Sequence, residues 1–279
     1  MRAIRKLRDM IYEAAEGVTA RDIGLAFSGG VDSSLLAKVC KDLGKKVTLL
    51  TVGVSNQTDI DISSQVSKPL GLKLLHELIP LEELEDGLST VLELIEYDRI
   101  VRLENSVCFF YVFRLASKHG LDTVLSANGL DELFCGYHIY RSHFGDEEAI
   151  TDLMKTLVET ATEDKEQIDK ISATFDIEYA CPFLSTPFIN SAMKIPFSLK
   201  IKTKDDELRK HILREVALEV GVPRSAALRA KKAFQYSSGT HKAIMKLSKR
   251  KGFTKKNAEA AGLRSGMEAY IENLRRSTT

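Results

Sequence analysis

Apolar positions along the chain fall into two kinds of run. Ile4, Leu7, Ile11 and Ala14 recur at helical spacing, so residues 2–16 are expected to form an amphipathic helix. Short apolar runs at IGLAF (23–27), VTLLTVGV (47–54), KLLHELI (73–79) and TVLSA (123–127) predict four strands. Helical patterns lie between them: Ser33 to Leu43, ended by Gly44, a stretch around 60–70, and then 81–96 and 104–119, the last stopped by Gly120. Strands alternating with helices in this way imply βαβ units and a mainly parallel sheet. After Asp131 the strand signal disappears, and EEAITDLMKTLVETATED, DELRKHILREVALEVG, HKAIMKLSKRKG and SGMEAYIENLRR all carry helical patterns. The expected class is α/β: a parallel twisted sheet flanked by helices, followed by an all-helical C-terminal part. No internal repeat or low-complexity linker divides the chain.

Ligands of such sheets sit beyond the carboxyl ends of the strands. The turns after 27, after 52 and after 125 bring glycine and serine to that edge. The first is the most informative. SGGVDSS (28–34) joins a buried strand to a helix. A helix start offers unpaired N–H groups and the positive end of the macrodipole. Gly29 and Gly30 let backbone approach phosphate oxygens, and Ser28, Ser33 and Ser34 add hydroxyl donors. Asp32 is out of place beside an anion unless a magnesium ion lies between them. With no lysine directly after the glycines, this is not the GxxxxGK[ST] loop.

The stretch resembles the SGGxDS loop of the ATP pyrophosphatases (PP-loop), which cleave ATP between the α and β phosphates. VLSANGLDELFCGYHIYR (124–141) and LRAKKAFQYSSG (228–239) are similar to two further segments of asparagine synthetases and their β-lactam synthetase relatives, S-G-E-G-x-D-E-L-F-x-G-Y and R-x-K-x-x-F. CPFLSTPFINSAMKIP (181–196) and KHILREVALEVGVP (210–223) resemble their PFL and K-x-x-x-R segments, so the similarity runs in order from about residue 20 to about residue 240. The resemblance implies an adenine nucleotide α-hydrolase-like, HUP-type fold. It divides the chain into an N-terminal helix (1–19), a PP-loop ATP-binding core (20–145), a helical synthetase part completing the site (146–240) and a basic helical extension (241–279).

For the site, the resemblance implies that Phe27, Val52, Ser126 and Ala127 surround adenosine, largely through backbone groups. Ser28, Gly29, Gly30, Asp32, Ser33, Ser34, Gly129 and Arg229 would hold the phosphates, and Asp32 and Asp131 would share Mg²⁺. Lys231, Asp131 and Asn128 are the catalytic candidates, Lys231 as the cation that neutralises charge on the departing pyrophosphate. The implied chemistry is attack of a substrate carboxylate on the α-phosphorus of ATP, followed by displacement of AMP by ammonia or an amine. Alternatively, Asp131 and Glu132 could simply cap a helix, and Lys231, next to Lys232, could be a solvated surface cation.

The pattern also departs from the family. Asn128 stands where the family has glutamate, and an amide cannot take a proton. Cys181 and Ser185 replace the usual Arg and Asp around P-F-L. These changes leave ATP binding intact and put aspartate-to-asparagine conversion in doubt. The family's amino-terminal glutaminase domain is expected to be absent, since position 2 is Arg2 rather than a catalytic cysteine. Nitrogen would then come from dissolved ammonia, from a separate glutaminase subunit, or from an amine within the substrate.

Composition adds boundaries. The 279 residues are 44% hydrophobic and 28% charged, as in ordinary globular proteins, and the net charge of +1 hides an asymmetry. From Arg224 onward there are fourteen Lys or Arg against three acids. That basic third is the support for a rival reading, an RNA-modifying PP-loop enzyme in which Cys135 carries sulfur; a catalytically decayed nucleotide-binding regulator is the other rival, supported by Asn128. Cys135 reads more simply as core packing. Cys40, Cys108, Cys135 and Cys181 are scattered without a CxxC pair, which argues against a zinc site or a disulfide framework, and no window reaches membrane-span length. A reduced, cytoplasmic setting is expected, with a homo-oligomer left open. His138 and His143, five apart, are read as structural or surface residues.

Overall fold

The structure is a computed structural model that describes residues 2–54, 58–230, 238–260 and 262–278. Helix α1 (Arg2–Glu16) precedes a run of strands and helices: β1 (Asp22–Ala26), α2 (Val31–Asp42), β2 (Lys46–Val54), α3 (Thr58–Leu70), β3 (Lys73–Ile79), α4 (Leu81–Leu94), α5 (Ile100–Lys118) and β4 (Thr123–Leu125). Then follow α6 (Leu130–Leu133), a 3₁₀ turn (His138–His143), α7 (Glu147–Ala173), β5 (Glu178–Ala180) and α8 (Thr186–Met193). The chain closes with α9 (His211–Glu219), α10 (Arg224–Ala227), α11 (Thr240–Arg250), α12 (Lys255–Ala260) and α13 (Gly266–Thr278).

The sheet is wholly parallel, in the order β3-β2-β1-β4-β5. Alternation along β2 shows why it needs helices on both faces. Val47 and Leu49 pack with α1, α2 and α9, whereas Leu50, Val52 and Val54 pack with α4, α5, α11 and α13. Helix α7 closes the β5 edge and serves both layers: Ile150 and Met154 join the first, Ile168 and Ile171 the second. The chain moves outward from β1 through β2 to β3, then returns to place β4 on the other side of β1. The crevice between the carboxyl ends of β1 and β4 is therefore the topological switch point.

Four sequence expectations change. A fifth strand, β5, lies beyond Asp131; three residues are too few for any periodicity to register, and only Tyr179 of the three is buried. The turn expected after 52 is strand instead, since Gly53 pairs with Leu78 and β2 continues to Val54. Strand β4 stops at Leu125, releasing Ser126 and Ala127 to the crevice. Helix α5 begins at Ile100 rather than 104, bringing Arg102 into the helix that walls the site. All four cysteines are buried and unbridged. Among the described residues no helix is long and apolar enough to cross a membrane.

Candidate active site

The SGGVDSS loop is a closed cup of hydroxyls. Ser33 Oγ accepts from Ser28 N at 3.3 Å and lies 3.4 Å from Ser28 Oγ, which in turn accepts from Gly30 N at 3.4 Å. These bonds are long, so donors turned toward each other can turn to phosphate oxygens at little cost. The loop's base is firmer: Phe27 O accepts from Thr51 Oγ1 at 2.6 Å, tying it to β2, and Arg229 Nη1 donates to Ser28 O at 3.0 Å. Helix α2 starts at Val31, two residues before the sequence expectation, which sets Asp32 in its first turn.

Opposite the cup, the segment after β4 builds the second half. Gly129 adopts φ +102°, and a Cβ there would stand 2.8 Å from Phe183 O, so only glycine fits the N-terminus of α6. Glu132 Oε2 accepts from Gly129 N at 3.0 Å and Oε1 from Tyr137 OH at 2.6 Å, so Glu132 is engaged in capping. Asp131, one residue before it, meets a cation that it shares with Asp32.

A residue given no role by the sequence joins them. Lys210, 1% exposed at its side chain, places Nζ 2.5 Å from Asp32 Oδ2 and 2.6 Å from Asp131 Oδ1. Space for it is cleared by Gly136, where a Cβ would lie 2.0 Å from Asp131 Oδ1 and 2.3 Å from Lys210 Cε. Arg209 and Lys210 both hold left-handed backbone, φ 48° and 54°, a conformation that costs about 1–2 kcal/mol per residue. Asp206 supports that turn. Its Oδ1 accepts from Leu208 N and Arg209 N, and its Oδ2 accepts from Lys202 N and meets His211 Nε2 at 2.6 Å. Burial pushes the Asp206 carboxyl up, but those N–H donors and His211 outweigh it and bring it to about 2. Arg214 completes the frame by donating to the carbonyls of Leu208, Arg209, Ala227 and Arg229. The K-x-x-x-R spacing thus acquires a physical reason. Its first residue reaches the carboxylates, and its fourth neighbour on α9 fixes the turn that aims it.

These groups border a cavity of about 480 Å³, an ordinary size for a ligand site. Ser28, Asp32, Ser33, Ser126, Ala127, Asn128 and Asp131 line it, so seven of the candidates converge. Phe27 and Val52 have core side chains, 1% and 0% exposed, leaving their backbone as what they can offer a ligand. Gly29, Gly30, Gly129 and Arg229 lie in the supporting loops and Ser34 on α2, outside the lining. Lys231 falls outside the described residues. Asn128 Nδ2 donates to Tyr179 OH at 3.3 Å, and that hydroxyl lies 2.7 Å from Ser126 Oγ; burial holds the phenol far above its ordinary range. Cys181 sits beside Ser126 at 3.3 Å, its thiol raised by burial to about 11. Cys135, raised to about 12 by burial, is an inert core thiol.

The fit of a hard cation can be judged from the orphaned atoms. Asp32 Oδ1 and Ser34 Oγ are buried without a hydrogen-bond partner, while Lys210 takes up only the other oxygen of Asp32. Oxygen donors left over in this way suit magnesium. Among the described residues no group of three or more His, Cys, Asp or Glu could hold a metal by itself. A bound nucleotide would supply the remaining oxygens.

Comparison with known proteins agrees with the motif order. The chain is 32% identical to a Methanocaldococcus jannaschii protein provisionally named an asparagine synthetase (glutamine-hydrolyzing), over 90% of the chain and 52% of that protein. It is 25% identical to asparagine synthetase B (glutamine-hydrolyzing) of Escherichia coli, over 84% of the chain and 45% of the relative. Identity to asparagine synthetase 1 (glutamine-hydrolyzing) of Arabidopsis thaliana is 28%, over 68% and 35%. The chain spans about half or less of the length of these relatives. The family model described as asparagine synthase matches residues 6–153 and 146–267, nearly the whole sequence, and with the cup, the paired carboxylates and the parallel sheet already in place, this chain belongs to the asparagine synthase family.

Proposed function

We propose that the protein is an ATP-dependent adenylating ligase. A substrate carboxylate oxygen attacks the α-phosphorus of ATP, the bond to the bridging oxygen breaks, and pyrophosphate leaves. A nitrogen nucleophile then adds to the acyl carbon, the bond to AMP breaks, and the nitrogen gives up a proton. The observation that carries this reading is the juxtaposition of Asp32, Asp131 and Lys210 beside a hydroxyl-lined helix start that lacks the lysine of the γ-phosphate-cleaving loop. Family membership supports it, as do relatives named for asparagine synthesis.

In this reading Ser28, Ser33, Ser34 and the backbone at Gly29 and Gly30 grip the pyrophosphate portion. Backbone near Phe27, Val52, Ser126 and Ala127 surrounds adenosine. Lys210 fixes the two carboxylates, and Lys231 neutralises charge on the departing oxygen. Asp32 and Asp131 would hold magnesium, which when bound offsets phosphate charge. Asn128 positions the nucleophile without taking its proton, and the nitrogen is ammonia, either dissolved or delivered by a separate glutaminase subunit, in a cytoplasmic setting.

Acid-dependent exchange of labelled pyrophosphate into ATP tests the reading. Exchange that needs a carboxylic acid, with AMP as the nucleotide product, is expected. Release of ADP and orthophosphate, or exchange that depends on RNA, would sink it.

A further inference from the structure

The cavity has an arm that the phosphate cup does not use. Beyond Asn128 and Asp131 its lining continues onto residues of α5 and α7. Phe109, Leu157, Ala161 and Ile168 wall it together with the uncharged Asn105, Ser106 and Thr160, and Val101 and Ile139 line it while remaining 44% and 50% exposed. Exposed branched side chains gathered on one cavity are an apolar binding surface.

The charged groups in the arm are already matched. Asp164 Oδ1 accepts from Arg99 Nη2 at 2.5 Å and from Arg102 Nε at 2.7 Å. Arg102, 7% exposed, also meets Asp98 at 3.0 Å and Glu163 at 3.2 Å. Two guanidinium groups thus face three carboxylates, and the cluster has no positive charge to spare. The spare carboxylate of a dicarboxylic acid would have to enter without a cation from the described residues, or take an arginine from Asp164 and leave that carboxylate with a weakened pair. An apolar chain meets no such obstacle.

We infer that the acid activated here is a monocarboxylate with an apolar body, its chain lodged between α5 and α7 and its carboxylate turned toward the phosphate cup. The inference rests on the adenylation reading and narrows it: the site selects by apolar contact, and the arginines brace α5 against α7.

Pyrophosphate exchange in the full chain, driven by acetate, butanoate, hexanoate, octanoate, phenylacetate, aspartate or glutamate, tests it. Exchange kcat/KM is expected to rise about tenfold for each methylene that the pocket takes up along the straight-chain series, and to exceed the aspartate value. Ile139→Asp, at an exposed position, should raise the KM for the apolar acid about tenfold and leave the KM for ATP unchanged. Exchange fastest with aspartate or glutamate overturns the inference and leaves adenylation standing. Exchange with no acid of the panel overturns both. An Ile139→Asp enzyme with unchanged KM for the apolar acid removes the α5–α7 arm as its seat.

Discussion

Lys210 lies 178 residues after Asp32 in sequence, yet its ammonium sits 2.5 Å from Asp32 Oδ2 and shares itself with Asp131. One buried cation therefore holds together two carboxylates that would otherwise repel. Removing one partner of such a cluster typically costs about 3–5 kcal/mol, because the remaining charges stay buried. Lys210→Met should lower the urea midpoint accordingly. Asp32→Asn in the same background should recover part of the loss. Added magnesium should raise the melting temperature of Lys210→Met more than that of the wild type, since the cation offers the carboxylates a substitute. Equal stability of Lys210→Met and wild type would show that the pair is not buried in solution.

The turn that delivers Lys210 depends on Asp206. Its carboxyl is brought to about 2 in the folded chain against an ordinary value near 3.9. The unfolded chain binds the proton first as pH falls, so the stabilisation is present above about pH 4 and lost as pH falls toward 2. That contribution is about 2 kcal/mol. In Asp206→Asn the slope of stability between pH 4 and 2 should flatten relative to wild type, as followed by urea unfolding. Asp206→Ala, which frees Leu208 N and Arg209 N as well, should lose more stability at neutral pH and raise the KM for ATP.

Lys200 is fully buried, with no carboxylate paired to it among the described residues. Its ammonium donates to Ala192 O at 2.9 Å, touches Met154 Sδ, and lies over the rings of Phe134 and Phe197. Burial lowers it to about 8, with Cys135 opposing the shift. Between pH 8 and about 10.4 the unfolded chain keeps a proton that the folded chain has lost, so folding gains stability as pH rises through that window. The difference between wild type and Lys200→Met should grow by about 3 kcal/mol over that range in favour of wild type. A constant difference would place the ammonium in contact with water.

Asn128 is the departure closest to the chemistry. Its amide can donate to Tyr179 OH, but it cannot accept a proton from an attacking nitrogen. Asn128→Glu would supply a base at that place, and general-base catalysis contributes typically about 10²–10⁴-fold. Amide formed from ammonia should rise about a hundredfold, while acid-dependent pyrophosphate exchange stays within a few-fold of wild type. A variant with lower amide output would assign the proton transfer to another group.

The sequence by itself determined the parallel sheet, the phosphate cup and the DELF segment, because these are local. Apolar runs with their bounding glycines report strands, and SGGVDSS offers the backbone N–H groups of the helix it opens. The same locality explains the omissions. Strand β5 has three residues and becomes a strand only because β4 lies beside it, with Thr123 paired to Glu178. Lys210 stood in a recognised spacing, but its task depends on a left-handed turn held by Asp206 and Arg214, and on room left by Gly136. Nothing within a few residues encodes that an ammonium will meet carboxylates from α2 and α6. Tertiary structure decided it, and likewise decided that Arg99 and Arg102 spend their charge on Asp164. Short-range pattern fixes which backbone groups are offered, whereas the neutralisation of buried charge is settled only when distant segments are packed together, where an unmatched ion is too costly to leave.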